Sequence, residues 1–244
     1  MRRVLLIARK DMKEGFGQRA LILRVALPAI VLPILYGVVT GIMIRSADMD
    51  PDQASFASGM IWLFAAVVAV VGTSTGGVMA AQAIVQERVR RTIESLLATP
   101  ASDWEIFAGK VLAAFLPGLA AGYGAGLLFF VSARALCDVA PLAVPGVVFF
   151  ARFIALILPI IVAIEVAAGV TISGRCGTVT GATQASALTS IPVIGGTLYL
   201  AYRAREWPLA EVFALVIGLA ALAVALLYLG ARAMGREEII ARLD

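Results

Sequence analysis

The chain has 244 residues, of which 61% are apolar and only 15% charged, and its 20 basic residues outnumber its 16 acidic ones. An average soluble domain is about half apolar and about a quarter charged. This composition excludes an ordinary soluble enzyme and a disordered chain, and it indicates an integral membrane protein. Because each helical crossing needs about 20 residues, the length allows roughly six crossings and leaves little for a soluble domain.

Two features of the composition bear on chemistry. The chain has no histidine, so the commonest acid–base group and metal ligand is missing. The two cysteines, Cys137 and Cys176, match no metal-binding spacing. We therefore expect no catalytic residue, no metal site and no cofactor in this chain.

Residues 1–20 are predicted to form an amphipathic helix. Val4 and Ala8 fall on one helical face, and Lys10 and Lys13 fall on the other. Such a helix lies in the headgroup plane of a bilayer with its apolar side in the lipid. The alternative interpretation is a solvated basic leader.

Six apolar segments then predict an all-α membrane fold. The predicted crossings are residues 21–44, 59–82, 106–132, 146–172, 187–202 and 209–234. An acidic loop is predicted at 48–52, a polar loop at 173–186 and a charged cytoplasmic tail at 235–244. Six crossings place both termini on one side, which collects fifteen of the 20 Lys and Arg residues. Since cytoplasmic loops carry this excess, both termini are predicted to be cytoplasmic.

Glycines spaced by four residues occur in three of the predicted crossings. Small residues at this spacing let membrane helices approach closely. The same spacing serves contacts within one bundle or between two copies, so both interpretations stay open. The glycines are Gly37 and Gly41, Gly72 and Gly76, and Gly118, Gly122 and Gly126.

The predicted cytoplasmic loop 87–105 contains its own helix signals. Residues 87–98 are predicted to extend the second crossing as a polar helix, and Pro100 ends it. Ser102 and Glu105 form a capping box that starts the next helix. The product is a short amphipathic coupling helix at the membrane surface, which offers apolar side chains to a cytoplasmic partner.

This loop resembles that of the ABC-2 type permeases, the membrane subunits of many bacterial ATP-driven exporters. Their pattern is an acidic–basic pair, then T-x-E-x-L-L-x-T-P, then an acidic residue and Gly-Lys. The leader and the tail are also similar to the family. Arg91 departs from the pattern, since many relatives have glycine there, and it is predicted to stiffen the helix before Thr92. The matching residues are Glu87, Arg88, Thr92, Glu94, Leu96, Leu97, Thr99, Pro100, Glu105, Gly109 and Lys110.

The resemblance implies partners and residue roles. It implies two copies of a separate ATP-binding subunit that carry ATP and Mg²⁺, and a second permease that is an identical copy or a paralogue. Together they would form an exporter in the bacterial inner membrane, without a nucleic-acid partner. The residues implied to couple this chain to the ATP-binding subunit are Glu87, Arg88, Thr92, Glu94, Leu96, Leu97, Thr99, Pro100 and Glu105.

The chain itself lacks a phosphate-binding loop. Such a loop needs G-x-x-x-x-G-K followed by Ser or Thr, so that backbone amides surround the phosphates. Here Gly109-Lys110 is preceded by Trp104 in place of the first glycine and followed by Val111. Gly122, Gly124 and Gly126 suggest a dinucleotide fingerprint, but no strand precedes them. ATP hydrolysis is therefore expected in a partner subunit.

Glu165 is an ionisable residue inside the fourth predicted crossing. A charge at this depth is costly and marks either a functional position or a polar contact. Thr189 and Ser190 of the fifth crossing suit either a helix that lines a transport route or hydrogen bonds to neighbouring helices. Glu165, Thr189 and Ser190 are therefore candidate route residues, and structural polar contacts are the alternative.

Two other classes of membrane protein compete with the permease. An ATP-independent ion- or proton-coupled carrier would show paired intramembrane acids and inverted repeats. The sequence shows a single intramembrane acid, Glu165, and no convincing repeat between its halves. A membrane-embedded enzyme such as a lipid transferase would need clustered Asp, Glu, His or Cys near one face, and the sequence suggests no such cluster.

Overall fold

The computed structural model describes residues 2–17, 19–46, 51–92, 101–136, 147–203 and 209–233. Within these ranges every regular element is an α-helix, which confirms the predicted all-α class. The helices are α1 (Arg2–Phe16), α2 (Arg19–Ser46), α3 (Pro51–Gln82), α4 (Val85–Val89), α5 (Asp103–Leu136), α6 (Val147–Arg175), α7 (Val179–Arg203) and α8 (Leu209–Ala233).

The long helices are those of an integral membrane protein. Four described segments are long and apolar enough to cross a bilayer, and Ala26–Ile42 of α2 is a shorter apolar stretch. Large apolar side chains face outward, such as Leu27 on α2 and Ile217 on α8, which are 63% and 68% exposed. The count of six crossings stays a prediction. The four segments are Val67–Val89, Asp103–Ala135, Ile154–Arg175 and Phe213–Arg232.

Helix α3 lies at the centre of the bundle. It packs against α2, α5, α6 and α7. Phe64 of α3 is fully buried and stacks on Phe129 of α5, with ring centroids 3.8 Å apart. Val68 of α3 and Val162 of α6 belong to the same buried cluster. The core is therefore built around one helix that contacts most of the others.

The spaced glycines bring α3 and α5 together inside this bundle. A Cβ added at Gly72 would lie 3.2 Å from the carbonyl oxygen of Gly118. A Cβ added at Gly118 would lie 3.2 Å from Cα of Gly76, and one at Gly122 would lie 3.4 Å from Cα of Gly72. These backbones approach too closely for larger side chains. Of the two interpretations left open by the spacing, packing within one bundle accounts for these glycines.

Helix α1 is the predicted amphipathic helix, but part of its apolar face packs on the protein. Ala8 is buried, and a Cβ at Gly109 of α5 would lie 2.8 Å from Cγ2 of Ile7. Leu5 and Phe16 stay exposed, at 57% and 58%. Helix α5 therefore covers one edge of the apolar side that is predicted to lie in lipid, and the lipid contact of the remainder stays a prediction.

The predicted polar loop 173–186 is also wrong, because only residues 176–178 separate α6 from α7. The hydroxyl of Thr178 accepts a hydrogen bond from the Gly181 N–H at 3.1 Å and so caps α7. The hydroxyl of Thr183 donates to carbonyls of its own helix, at 2.9 and 3.1 Å. Polar side chains that are satisfied in this way do not interrupt a helix.

The predicted acidic loop 48–52 is shorter than expected. Helix α3 begins at Pro51, so Pro51 and Asp52 belong to it. Proline is favoured in the first helical turn, where its missing N–H would have no partner. Residues 48–50 and the tail 235–244 lie outside the described residues.

Candidate coupling site

Five helices, α1 and α3 to α6, meet at one edge of the bundle. Helix α3 stops at Gln82, and after two turn residues the short helix α4 begins at Val85. Helix α1, the first turns of α5 and the last turn of α6 contribute side chains that bond to α4 and to the break before it. The predicted continuous polar helix over 87–98 is therefore wrong: α4 ends at Val89, and residues 93–100 lie outside the described residues.

Lys110 of α5 is at the centre of this edge. Its side chain is 1% exposed, and Nζ lies 3.1 Å from Oδ2 of Asp11 and 3.1 Å from Oε1 of Glu87. Nζ also donates to the carbonyl oxygen of Ala83 at 2.7 Å, in the break between α3 and α4. A buried ammonium is tolerated only when it is paired and hydrogen-bonded in this way. Lys110 thus links α1, α4 and α5.

A second set of charged side chains lies nearer the surface, around Lys110, Asp11 and Glu87. Nζ of Lys10 lies 3.5 Å from Oε1 of Glu87 and 3.7 Å from Oε1 of Glu14. Partial burial acts to lower the pKa of Lys10, but the carboxylates of Glu87, Glu14 and Asp11 outweigh it and hold that pKa above its ordinary value. Arg90 donates to Oε2 of Glu14 at 3.1 Å, so α1 and α4 also meet at their exposed edges.

Helix α6 holds α4 from the opposite side. The hydroxyl oxygen of Ser173 accepts hydrogen bonds from the N–H groups of Ile84 and Val85, both at 3.1 Å. Ser173 therefore acts as an N-cap supplied by another helix. In return, the guanidinium of Arg88 donates to the carbonyl oxygens of Cys176 at 3.0 Å and Gly174 at 3.2 Å, at the end of α6. Cationic side chains are favourable at a helix C-terminus.

Arg91 ends α4 in a conformation that glycine adopts more readily. Its φ is 56°, the left-handed region. The Arg91 N–H bonds to the carbonyl oxygen of Arg88 at 3.0 Å, and the Thr92 N–H bonds to that of Glu87 at 2.9 Å. This pair of bonds is the Schellman motif. The prediction that Arg91 stiffens a continuing helix is therefore wrong, since the helix stops there.

The predicted capping box at the start of α5 is confirmed. The Ser102 N–H donates to Oε2 of Glu105 at 3.0 Å, and the Glu105 N–H donates to the Ser102 hydroxyl oxygen at 3.2 Å. Arg3 of α1 lies 3.8 Å from Oε2 of Glu105. Glu105 therefore fixes the start of α5 and also faces α1.

The structure brings together only part of the predicted coupling set. Glu87, Arg88 and Thr92 lie at the end of α4, and Glu105 lies at the start of α5. Glu87 is buried, and its carboxylate bonds to Lys10 and Lys110 within this chain. Five residues of the predicted set lie outside the described residues: Glu94, Leu96, Leu97, Thr99 and Pro100.

Three residues that organise this edge had no predicted role. The sequence pattern indicates Lys110 only as part of its Gly-Lys pair, and it gives no role to Asp11 or Ser173. A signal was present at Lys110, because the chain has few lysines and this one lies inside the predicted crossing 106–132. Its ammonium is occupied by protein oxygens, and Gly109 beside it packs on α1.

Glu165 of α6 forms a separate polar cluster, deep in the bundle. Its side chain is fully buried, which confirms that it does not face lipid. Ser190 of α7 donates a hydrogen bond to Oε1, and the Thr189 hydroxyl lies 3.5 Å from the same oxygen. A Cβ on Gly77 of α3 would lie 3.1 Å from Oε1. The three candidate route residues therefore meet where α3, α6 and α7 pack together.

A comparison with known protein families identifies the family of this chain. A family model described as ABC-2 family transporter protein matches residues 5–195, which run from α1 into α7. The comparison with curated proteins gave no match. The matched region includes Asp11, Glu87, Lys110 and Ser173, the residues that join the helix ends. The chain therefore belongs to the ABC-2 transporter family and is a multi-pass membrane permease of the ABC type.

Proposed function

We propose that this chain is the membrane-spanning subunit of an ATP-driven ABC-2 exporter in the bacterial inner membrane. It forms the translocation route and is coupled to a separate ATP-binding subunit. Membership of the family supports the permease role. The observation that carries the coupling is the network around Lys110, because it joins α1 to α4 and α5, the two helices between which residues 93–100 lie in the sequence.

The complete transporter in this proposal has four subunits. Two ATP-binding subunits hold ATP and Mg²⁺, and a second permease, identical or a paralogue, completes the membrane part. This chain contributes no cofactor and no catalytic group. Its task is to change shape when the ATP-binding subunits move.

Segment 93–100 is the proposed contact with the ATP-binding subunit, and both of its flanks are fixed. On one side the Thr92 N–H is held by the carbonyl of Glu87 at 2.9 Å. On the other side Ser102 is held by the capping box with Glu105. A segment anchored at both ends passes a displacement to the helices that anchor it. Movement would therefore reach α4 and α5 directly, and α1 through Lys110.

Within this proposal Glu87 and Arg88 are positioning residues. Glu87 bonds toward α1 and α5, whereas Arg88 bonds toward the end of α6. Adjacent residues thus fix α4 between two parts of the bundle. The proposed contact residues are Glu94, Leu96, Leu97, Thr99 and Pro100.

Co-purification tests the coupling proposal. We would co-express the tagged chain with the ATP-binding cassette subunit whose gene we expect beside its own, and measure the ATPase recovered with it. The double variant L96D/L97D should lose that recovery, because burying each leucine contributes about 1.5–3 kcal/mol. L96M/L97M keeps apolar side chains of similar size and should retain it. Full recovery with L96D/L97D would contradict the proposal.

We also propose six crossings with both termini in the cytoplasm. The Lys and Arg distribution supports this arrangement. Single cysteines at Asp50 and Ser102, in a chain without Cys137 and Cys176, test it with an impermeant thiol reagent added outside intact cells. Only the cysteine at Asp50 should be labelled. Equal labelling of both positions would contradict the six-crossing arrangement.

An ATP-independent carrier is the second candidate function, and the buried Glu165 is the observation that favours it. Intramembrane carboxyl groups are typical of proton-coupled carriers. Glu165 is also a candidate route residue of a permease. A residue that lines a route between two permeases should be accessible on one isolated chain, whereas Glu165 is 0% exposed. We therefore propose that Glu165 joins α6 to α7 through Ser190. A carrier would be purified without an ATP-binding subunit.

A further inference from the structure

A large apolar cavity lies between the end of α1 and helices α2, α3 and α5. Its volume is about 290 Å³, and small residues form much of its wall, including Ala29 of α2 and Ala121 and Gly124 of α5. An engineered cavity of about half that size in a soluble protein stays dry and binds benzene. The volume therefore suits an apolar group of considerable size.

The wall offers no free hydrogen-bonding side chain among the residues that line the cavity. Thr75 is its one hydroxyl, and that hydroxyl donates to the carbonyl oxygen of Val71 at 2.8 Å. A buried water needs two to four polar partners. Water is therefore held poorly here, and an aliphatic occupant is favoured.

The position of the cavity decides which aliphatic group reaches it. Ile30 lines it and is 49% exposed, and it belongs to an outward apolar face of α2 that includes Leu27, Val31 and Ile34. In a membrane protein such a face meets acyl chains. The cavity therefore opens from the surface that lipid covers.

The opposite end of the cavity reaches the polar edge of the bundle. Gly15 and Met79 line the apolar cavity and also a polar cavity of about 40 Å³ beside Glu87 and Lys110. An occupant would thus run from the charged edge into apolar space, which is the polarity of a phospholipid.

We propose that this cavity binds one acyl chain of a phospholipid from the leaflet next to α1. The proposal requires only that the chain lies in a membrane, and it is independent of the ATP-binding subunit. The bound chain would fill the space between α1, α2 and α5. It would therefore stabilise the contact of α1 with the bundle.

The assignment agrees with the positions of three glycines of α5, Gly122, Gly124 and Gly126. A Cβ at Gly122 would lie 2.8 Å from Leu158, and one at Gly126 would lie 3.6 Å from Ile154, so both pack on α6. A Cβ at Gly124 meets nothing within 4 Å, because it would project into the cavity. The absence of a side chain at Gly124 thus leaves this part of the cavity open.

Photolabelling of the purified full-length chain in liposomes tests the proposal. The probe is phosphatidylethanolamine with a diazirine in its acyl chain, and labelled peptides are identified by mass spectrometry. In the wild-type chain, label should appear on the cavity residues of α2 and α5. G124L should reduce that label at least about tenfold, since leucine would displace several methylene groups from apolar contact. G218L is the matched control, because Gly218 of α8 also has nothing within 4 Å and does not line the cavity.

Each outcome decides the question. Loss of label in G124L, with G218L equal to wild type, supports the proposal. Equal label in all three chains overturns it, as does a wild-type chain labelled only on its outward faces. If G124L does not fold, A121L fills the same cavity from a neighbouring position and is read in the same way. None of these measurements involves an ATP-binding subunit, so they stand apart from the co-purification result.

Discussion

Two buried ionisable residues, Lys110 of α5 and Glu165 of α6, are stabilised in different ways. Each is almost completely removed from solvent, at 1% and 0% exposure. Lys110 is paired with the carboxylates of Asp11 and Glu87. Glu165 is bonded by the hydroxyls of Ser190 and Thr189, and within the described part of the chain no basic group lies within ion-pair distance of it.

The difference shows which residue depends on its charge. Removal of one member of a buried ion pair leaves an uncompensated charge, which is strongly destabilising. A carboxyl bonded only by hydroxyls needs hydrogen-bonding capacity, which an amide also supplies. The edge around Lys110 should therefore be sensitive to loss of charge, whereas the cluster around Glu165 should tolerate it.

The largest effect is expected for K110M. This change keeps a long apolar stem but leaves Asp11, Glu87 and the carbonyl of Ala83 without the ammonium. We expect a loss of about 3–5 kcal/mol of stability, because the buried carboxylate of Glu87 and the largely buried carboxylate of Asp11 lose the buried ammonium between them. Thermal unfolding of the detergent-solubilised chain measures it.

K10M is the matched control for K110M. Nζ of Lys10 also lies near Oε1 of Glu87, at 3.5 Å, but its side chain is 51% exposed. Its loss should cost no more than about 1 kcal/mol, as for other surface ion pairs. E87Q combined with K110M should recover part of the lost stability. If K110M unfolds at the wild-type temperature, the ion-pair network does not contribute to the stability of the fold.

A smaller effect is expected at the Glu165 cluster. E165Q should leave stability nearly unchanged, since its amide still accepts the hydrogen bond from Ser190. S190A removes the donor and should cost about 0.6 kcal/mol and at most about 1.7 kcal/mol, the range for hydrogen bonds between membrane helices. T197V is the control, because the buried hydroxyl of Thr197 bonds only to Val193 of its own helix, at 2.7 Å. Unfolding of E165Q well below the wild-type temperature would show that the charge matters here too.

The features that sequence predicts well here are local. Long apolar runs predict helices, and the spacing of Ser102 and Glu105 predicts a capping box whose bonds join residues three apart. A hydroxyl partner for Glu165 is also predictable, because the fifth predicted crossing is rich in Ser and Thr. The capping box contains both interacting groups in its own pattern, and the partner of Glu165 is one of a small set of hydroxyl residues.

The features that sequence misses depend on distant partners. The break after α3 contains neither proline nor glycine at Ala83 and Ile84. The carbonyl oxygen of Ala83 accepts a hydrogen bond from Lys110, which is 27 residues away in the sequence. The N–H of Ile84 donates to the hydroxyl of Ser173, which is 89 residues away. The pair of Lys110 with Asp11 spans 99 residues. Only the folded bundle brings these groups together, so local propensity predicts an unbroken helix.

A further small effect is expected at Arg91, close to the Lys110 edge but without a buried charge. Its φ of 56° strains a residue with a Cβ, whereas glycine adopts this conformation freely. R91G should be more stable than R91A by about 1 kcal/mol, since alanine removes the same charge but keeps the strain. For a chain of this length that difference shifts the unfolding temperature by about 2–4 °C. Equal stability of R91G and R91A would show that α4 does not end in a left-handed residue. A gain for both variants would instead assign the effect to the positive charge, beside Arg88 and Arg90. The comparison thus separates backbone conformation from electrostatics at the point where segment 93–100 begins.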